Sequence, residues 1–347
     1  MNRTMQSALL YGAKNIRIEE VEIPPLSQDM VLLKIKRAGI CGSDLHYFED
    51  GYCGGFVPSQ PFILGHELTA EIVSLHESSS VNSLVIGTRV TVNPARACGV
   101  CNYCKGGLQN LCKSTIMLGS GSTIPPTNGA FAEYIVVRTD QCHILPQNVT
   151  DEEGAMIEPL AVALQAIKQA DGVSGKRILV TGGGTIGLLT AVLSKSFGAV
   201  LVAVSDVTTE RREKALTMSI DSVIDPTDSQ ISTLTGEGFD VIFEASGANV
   251  ALRQAFDLIM PGGTIVQIGT IGTKDVPLPA NLIMVKQIRY IGSFRYANIF
   301  DEAISLVASG RIDLKPFISS IFPFNKIIKA FEVAADKANS LKVQIKF

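Results

Sequence analysis

The sequence has no long apolar run, no excess of charge of one sign, and no repeat or low-complexity segment. Nothing approaches the ~18 consecutive apolar residues of a membrane span, so no membrane association is expected. With 30 Lys and Arg against 33 Asp and Glu, the net charge is −3, which gives no basis for a nucleic-acid partner or an anionic lipid surface. The opening stretch MNRTMQSALLYGAKNIRIEE lacks both an apolar core and a small-residue cleavage site, so no signal peptide is expected and the cytoplasm is the default compartment. Cysteine is sparse, at seven residues. Without a secretory leader these are expected as reduced thiols and metal ligands, not disulfides. The 347 residues exceed one ordinary core, so two domains are expected.

The most informative stretch is RILVTGGGTIGLLTAVL, residues 177–193. Arg177–Thr181 is a β-branched run of the length of one buried strand. Gly182, Gly184 and Gly187 follow in G-x-G-x-x-G spacing, and Thr185 and Ile186 open an apolar helix. The glycines permit a tight turn, close approach to a pyrophosphate, and close packing of helix on strand. The helix N-terminus directs free N–H groups at phosphate. A second strand, Val200–Val204, leads to Asp206, nineteen residues after Gly187, where a carboxylate accepts hydrogen bonds from an adenosine ribose. Asp206 would repel a ribose 2′-phosphate, favouring NAD over NADP. Arg211 and Arg212 lie nearby and weaken that preference unless they form only a solvated helix face.

The first 150 residues read as β-structure, with strands expected at Ala8–Tyr11, Ile16–Val21, Met30–Lys36, Leu68–Leu75 and Arg89–Asn93, separated by Pro24, Pro25, Gly39, Gly87 and Pro94. Thr150 to Glu153 is a capping box. Pro159 either ends that helix at Glu158 or starts the next in its first turn. From Arg177 strands and helices alternate, with further strands at Ser222–Ile224, Asp240–Ala245, Thr264–Ile268 and Ile288–Gly292, and helices at Thr209–Met218 and Val250–Ile259. Six strands with crossovers give a doubly wound parallel sheet. The tail adds two helices and a last strand, Val343–Phe347, extending the second domain or returning to the first.

Cys98, Cys101, Cys104 and Cys112 form C-x2-C-x2-C-x7-C. Four thiolates so close in sequence suit tetrahedral Zn²⁺ with no open position, a structural site. An iron–sulfur cluster is the alternative, but the ferredoxin pattern continues with a shorter gap and a proline, whereas Lys113 follows here. Cys41 in GICGSDLH and His66 and Glu67 in GHE supply thiolate, imidazole and carboxylate, the donor set of an open catalytic zinc site. Glu158 is a second carboxylate candidate, and the sequence leaves Glu67 and Glu158 undecided. Asp44 is placed to hold the far nitrogen of His66. Ser43 and His46 are candidates to carry a hydroxyl proton outward, although Ser43 also suits the turn after Cys41. Cys53 and Cys142 read as core or surface thiols, and His76 and His143 have no neighbours that suggest chemistry.

Taken together, GICGSDLH, GHE, the four-cysteine segment, EPLAVAL and the glycine turn with Asp206 resemble the zinc-containing medium-chain dehydrogenase/reductase family, in that family's order and over nearly the whole chain. The resemblance implies an α/β protein: a GroES-like β-barrel catalytic domain over residues 1–157, a Rossmann doubly wound parallel sheet over 158–295, and a return to the catalytic domain over 296–347. It implies one catalytic and one structural zinc, a nicotinamide cofactor, a small-molecule polyol or sugar-acid substrate, and a homo-oligomer, dimer or tetramer. Glu158 stands where simple alcohol dehydrogenases carry a second cysteine ligand, which is typical of the polyol branch. By the same resemblance Arg295 and Tyr296, in GSFRYANIF, line the substrate pocket, and Tyr47 is a further substrate contact. VNPARACGVCNYC, GSGSTIPPTNGAF, GSFRY and KVQIKF resemble the L-idonate-oxidising members more than the sorbitol-oxidising ones. On that footing Arg295 pairs with a sugar-acid carboxylate, or else only supports the pocket wall.

Overall fold

The alternating texture after Arg177 becomes a six-stranded parallel sheet in the computed structural model, which describes residues 4–76, 84–228, 236–272 and 275–347. From one edge the strands are Ser222–Ile224, Leu201–Ser205, Arg177–Thr181, Phe239–Glu244, Ile259–Gln267 and Arg289–Gly292. Every pairing is parallel. This is the doubly wound order, in which the winding reverses between the first and fourth strands and opens a crevice at their carboxyl ends. Ile178, Leu179, Val180, Val202, Ile242 and Phe243 are fully buried, which explains why these strands read as continuous apolar runs, not as alternations.

The fifth strand begins at Ile259, five residues before the expected Thr264. Its register shifts between Phe239 and Val241, so Met260 to Gly263 fall out of the pairing. Pro261, Gly262 and Gly263 lie in that interval, and proline cannot donate to a ladder. Helix Thr185–Ser196 starts from Gly184 as its N-cap. A Cβ on Gly187 would lie 1.8 Å from the carbonyl oxygen of Gly182, so the helix packs directly on the turn.

The chain forms two compact units. The sheet lies in the second, made of Pro159–Ile299 and Lys337–Asn339. The first comprises the chain through Glu158 with Phe300–Asp336 and Ser340–Phe347. Its main sheet runs Cys142–Ile144, Arg89–Val92, Glu67–Leu75, Met30–Gly39, Lys342–Lys346, Ile318–Pro323, with Tyr134–Arg138 also paired to Met30–Gly39. Thr4–Leu10, Ile16–Glu22 and Phe62–Ile63 form a smaller sheet. Leu33, Ile35, Phe62, Leu68, Ile72, Phe131 and Phe331 are buried between these layers. The last strand is thus inserted beside Met30–Gly39, which places C-terminal side chains next to the Gly39–Glu67 pairing.

Two local outcomes position chemistry. The β-rich first part also holds helix Gly42–Asp50, too short to stand out by periodicity, with Cys41 at its N-cap. Pro159 interrupts nothing: one helix spans Ile157–Gln169, and proline in the first turn lacks only an N–H that would have no intrahelical partner. Glu158 therefore projects from a helix start.

Gly187→Ala is expected to cost about 1–3 kcal/mol through overpacking against the turn. Denaturant unfolding with a parallel NADH-fluorescence titration checks it, weaker dinucleotide binding being the expected companion.

Candidate active site and metal centres

Cys41 and His66 are brought together by one buried carboxylate. Asp44 Oδ2 accepts the Cys41 N–H at 2.9 Å, and its Oδ1 accepts the Gly65 N–H at 3.1 Å. The bend before the helix and the bend before His66 are thereby fixed to the same side chain. His66 Nδ1 lies 3.7 Å from Asp44 Oδ1, an ion-pair contact; the hydrogen bonds of Asp44 go to backbone. Burial raises the Asp44 pKa, against the pull of His66 and the two amides. Burial acts to lower that of His66, but Asp44 and Cys41 outweigh it and hold the imidazole well above its ordinary range. One ligand atom each from Cys41, His66 and Glu67 lie within 4.8 Å of one another. Sulfur, nitrogen and oxygen donors at that separation fit a zinc ion with an open position.

A residue that sequence reasoning passed over completes the cluster. Lys342, on the last strand, donates to both Glu67 oxygens at 2.6 and 2.7 Å and to the Ile40 carbonyl at 3.1 Å. The pair is almost wholly enclosed, with side-chain exposures of 4% and 1%. Burial opposes the Lys342 charge, yet Glu67, then Cys41, holds its pKa above the ordinary value. Nothing in KVQIKF separates Lys342 from Lys346; only the strand insertion does. Glu158 is buried and outside the three-residue cluster, but its carboxylate raises the pKa of both His66 and Lys342.

The other expected residues divide. Ser43 is half-buried one turn from Cys41. His46 is exposed, its Nδ1 3.4 Å from Asp50 Oδ2. The Tyr47 ring is 3% exposed, and its hydroxyl accepts the Gly121 N–H at 2.9 Å. In the second unit Arg295 has a left-handed backbone (φ 51) with its guanidinium 4.8 Å over the Phe294 ring, and Tyr296 is buried.

The four-cysteine segment is bracketed by the strand pair Ala95–Arg96 and Ile116–Met117. The ligand atoms of Cys98, Cys101, Cys104 and Cys112 lie within 4.8 Å of one another. The Sγ atoms of Cys98 and Cys101 stand 3.9 and 3.5 Å from that of Cys104. A tetrahedron of thiolates with Zn–S arms of 2.3 Å has edges of about 3.8 Å. The Cys98 N–H points to Cys112 Sγ and the Cys101 N–H to Cys98 Sγ, each at 3.4 Å. The first of these leads the causes that lower the Cys112 thiol to about 6, favouring the thiolate. The donor set fits zinc.

At the glycine turn, Asp206 Oδ2 accepts the Gly183 N–H at 2.7 Å and Oδ1 accepts the Thr208 N–H at 2.8 Å. Asp206 thus ties the second strand to the turn. Arg211 lies 3.6 Å from Asp206 and donates to the Lys337 carbonyl at 2.6 Å, so it is anchored at the turn, not simply solvated. Arg212 instead pairs with Asp225 at 2.9 Å.

These features agree with comparisons to known proteins. The family model of the alcohol dehydrogenase GroES-like domain matches residues 27–147, and that of the zinc-binding dehydrogenase matches residues 185–309. Sorbitol dehydrogenase of Bacillus subtilis (strain 168) is 35% identical over 349 residues, covering 99% of this chain and 97% of that protein. L-idonate 5-dehydrogenase (NAD(P)(+)) of Escherichia coli (strain K12) is 34% identical over 344 residues, covering 99% and 98%. The crystal structure of L-idonate 5-dehydrogenase from Escherichia coli matches with a TM-score of 0.93 at 34% identity, covering 99% of this chain and 98% of that one. The chain belongs to the zinc-containing medium-chain dehydrogenase/reductase family, in its polyol branch. It is an oxidoreductase, a polyol or sugar-acid dehydrogenase, built from a GroES-like domain and a Rossmann-like parallel sheet. Among the described residues no helix is long and apolar enough to cross a membrane.

Two outcomes follow from the geometry. Chelation, or Cys104→Ser, should loosen residues 98–112 while leaving the parallel sheet protected, as read by hydrogen exchange; uniform deprotection would contradict a local structural role. Lys342→Met leaves a buried carboxylate uncompensated and should cost about 3–5 kcal/mol in metal-free protein, with much of the loss recovered by adding Glu67→Gln. Denaturant unfolding of the single and double variants measures both.

Proposed function

We propose that this chain oxidises the 5-hydroxyl of L-idonate to the 5-keto acid, with NAD preferred to NADP. The observation that carries the sugar-acid reading is Arg295. A non-glycine residue in the left-handed region is strained, and such strain is found where a side chain is aimed for function. Here it presents a guanidinium steadied over Phe294, whose planar fork matches a carboxylate. The full-length likeness to L-idonate 5-dehydrogenase supports the same assignment. NAD preference rests on Asp206, whose carboxylate at the turn repels a 2′-phosphate, with Arg211 as the counterweight.

Cys41, His66 and Glu67 would hold the catalytic zinc, with Glu158 as the alternating carboxylate, and the four cysteines the structural one. When bound, zinc supplies Lewis acidity toward the substrate hydroxyl and the nicotinamide accepts the hydride. The protein supplies position and a proton path. Asp44 fixes the Cys41 and Gly65 backbones, and Lys342 balances the Glu67 charge. Ser43 Oγ takes the hydroxyl proton and passes it to the exposed imidazole of His46, which releases it to solvent. Arg295 and Tyr296 orient the substrate.

The test is a panel of L-idonate, D-sorbitol, xylitol and galactitol with NAD and with NADP. L-idonate with NAD should give the highest kcat/KM. Arg295→Ala should lower kcat/KM for L-idonate about tenfold more than for D-sorbitol, the size of one charge-assisted pair; equal losses would end the carboxylate assignment.

A further inference from the structure

Residues 119–129 form a loop tied to both elements that carry the candidate metal ligands. At its base, a Cβ on Gly119 would lie 2.6 Å, and one on Gly129 2.1 Å, from the carbonyl oxygen of Gly65, the residue before His66. The loop therefore leaves and returns against the His66 segment, with no space for any side chain at either crossing. Ser120 and Thr127 close it by reciprocal backbone hydrogen bonds of 3.2 and 2.9 Å. Its other anchor is Tyr47, on the helix that Cys41 caps. The Tyr47 ring packs edge-on to Phe62 at 5.4 Å, and its hydroxyl accepts from the Gly121 N–H and the Ser120 side chain. A Cβ on Gly121 would lie 3.2 Å from both that hydroxyl and Pro58 Cγ.

Between the anchors the loop presents Ser120, Ser122 and Thr123, all partly exposed. Ser120 Oγ donates to Ser122 Oγ at 3.0 Å and accepts the Ser122 N–H at 3.2 Å. Each hydroxyl has one proton and two lone pairs, so these contacts leave capacity for another donor or acceptor. A row of hydroxyls, fixed in space beside the ligand-bearing segments, is complementary to a chain of secondary alcohols.

We propose that residues 119–123 are the specificity wall that reads the substrate's hydroxyls beyond the reacting carbon. Tyr47 is the positioning residue that sets this wall: it acts through the Gly121 and Ser120 hydrogen bonds. This inference rests on the polyol or sugar-acid reading above.

The experiment uses zinc-loaded enzyme with the best substrate of the panel, comparing wild type, Ser122→Ala, Tyr47→Phe and the double variant. Each single variant should raise KM about five- to tenfold with kcat within twofold, the mark of lost uniform binding. The double variant should fall clearly short of the product of the two, because both changes remove the same contact. A kcat loss larger than the KM rise, multiplicative effects, or an unchanged KM would each overturn the proposal. A wild type inactive on the whole panel would remove the parent reading and this one together; an active wild type with unmoved variants removes only this one.

Discussion

A buried ion pair between Lys342 and Glu67 is the constraint on which the catalytic unit turns. Two opposite charges taken out of water are tolerable only when geometry and further hydrogen bonds compensate the lost hydration. Here both Glu67 oxygens and the Ile40 carbonyl engage one ammonium. The pair fixes the last strand against the strand pair that ends at Gly39 and Glu67, where a Cβ on Gly39 would lie 2.1 Å from Glu67 Oε2. Glu67 is thus confined by a cation on one side and bare backbone on the other, beside His66 and Cys41.

A second buried carboxylate does the same for the remaining ligands. Asp44 accepts from the backbone at Cys41 and at Gly65, so the two bends that carry sulfur and imidazole move as one. Zinc chemistry needs an open coordination position, and an open position requires that the protein, not the ion, hold the donors in place. The buried carboxylates and the glycine crossings at Gly65 provide that rigidity without adding ligands.

Much of the fold was legible because local rules govern it. The run ending at Thr181, the glycine spacing and Asp206 foretold a strand, turn and second strand, and the six strands foretold a doubly wound sheet. Helix Gly42–Asp50 was not legible, since nine residues give too little period to separate from β-texture. The early start of the fifth strand was hidden by Pro261 and its two glycines, which read as a break but fall in a register shift. At the site, the residue types in GICGSDLH and GHE announced metal donors, whereas Tyr47 looked like a substrate contact and stands in the structure with a buried ring tied to Gly121.

What the sequence determined by itself is what chain-local spacing controls: the glycine turn, the cysteine quartet within fifteen residues, the capping box at Thr150 and the donor types at 41, 66 and 67. The tertiary structure alone decided which distant groups meet. Lys342 reaches Glu67 across 275 positions, and Tyr47 reaches Gly121 across 74. Such contacts carry no periodicity or spacing signal, because they arise only when separate strands and loops are packed into one core, where an unpaired charge or amide would be costly.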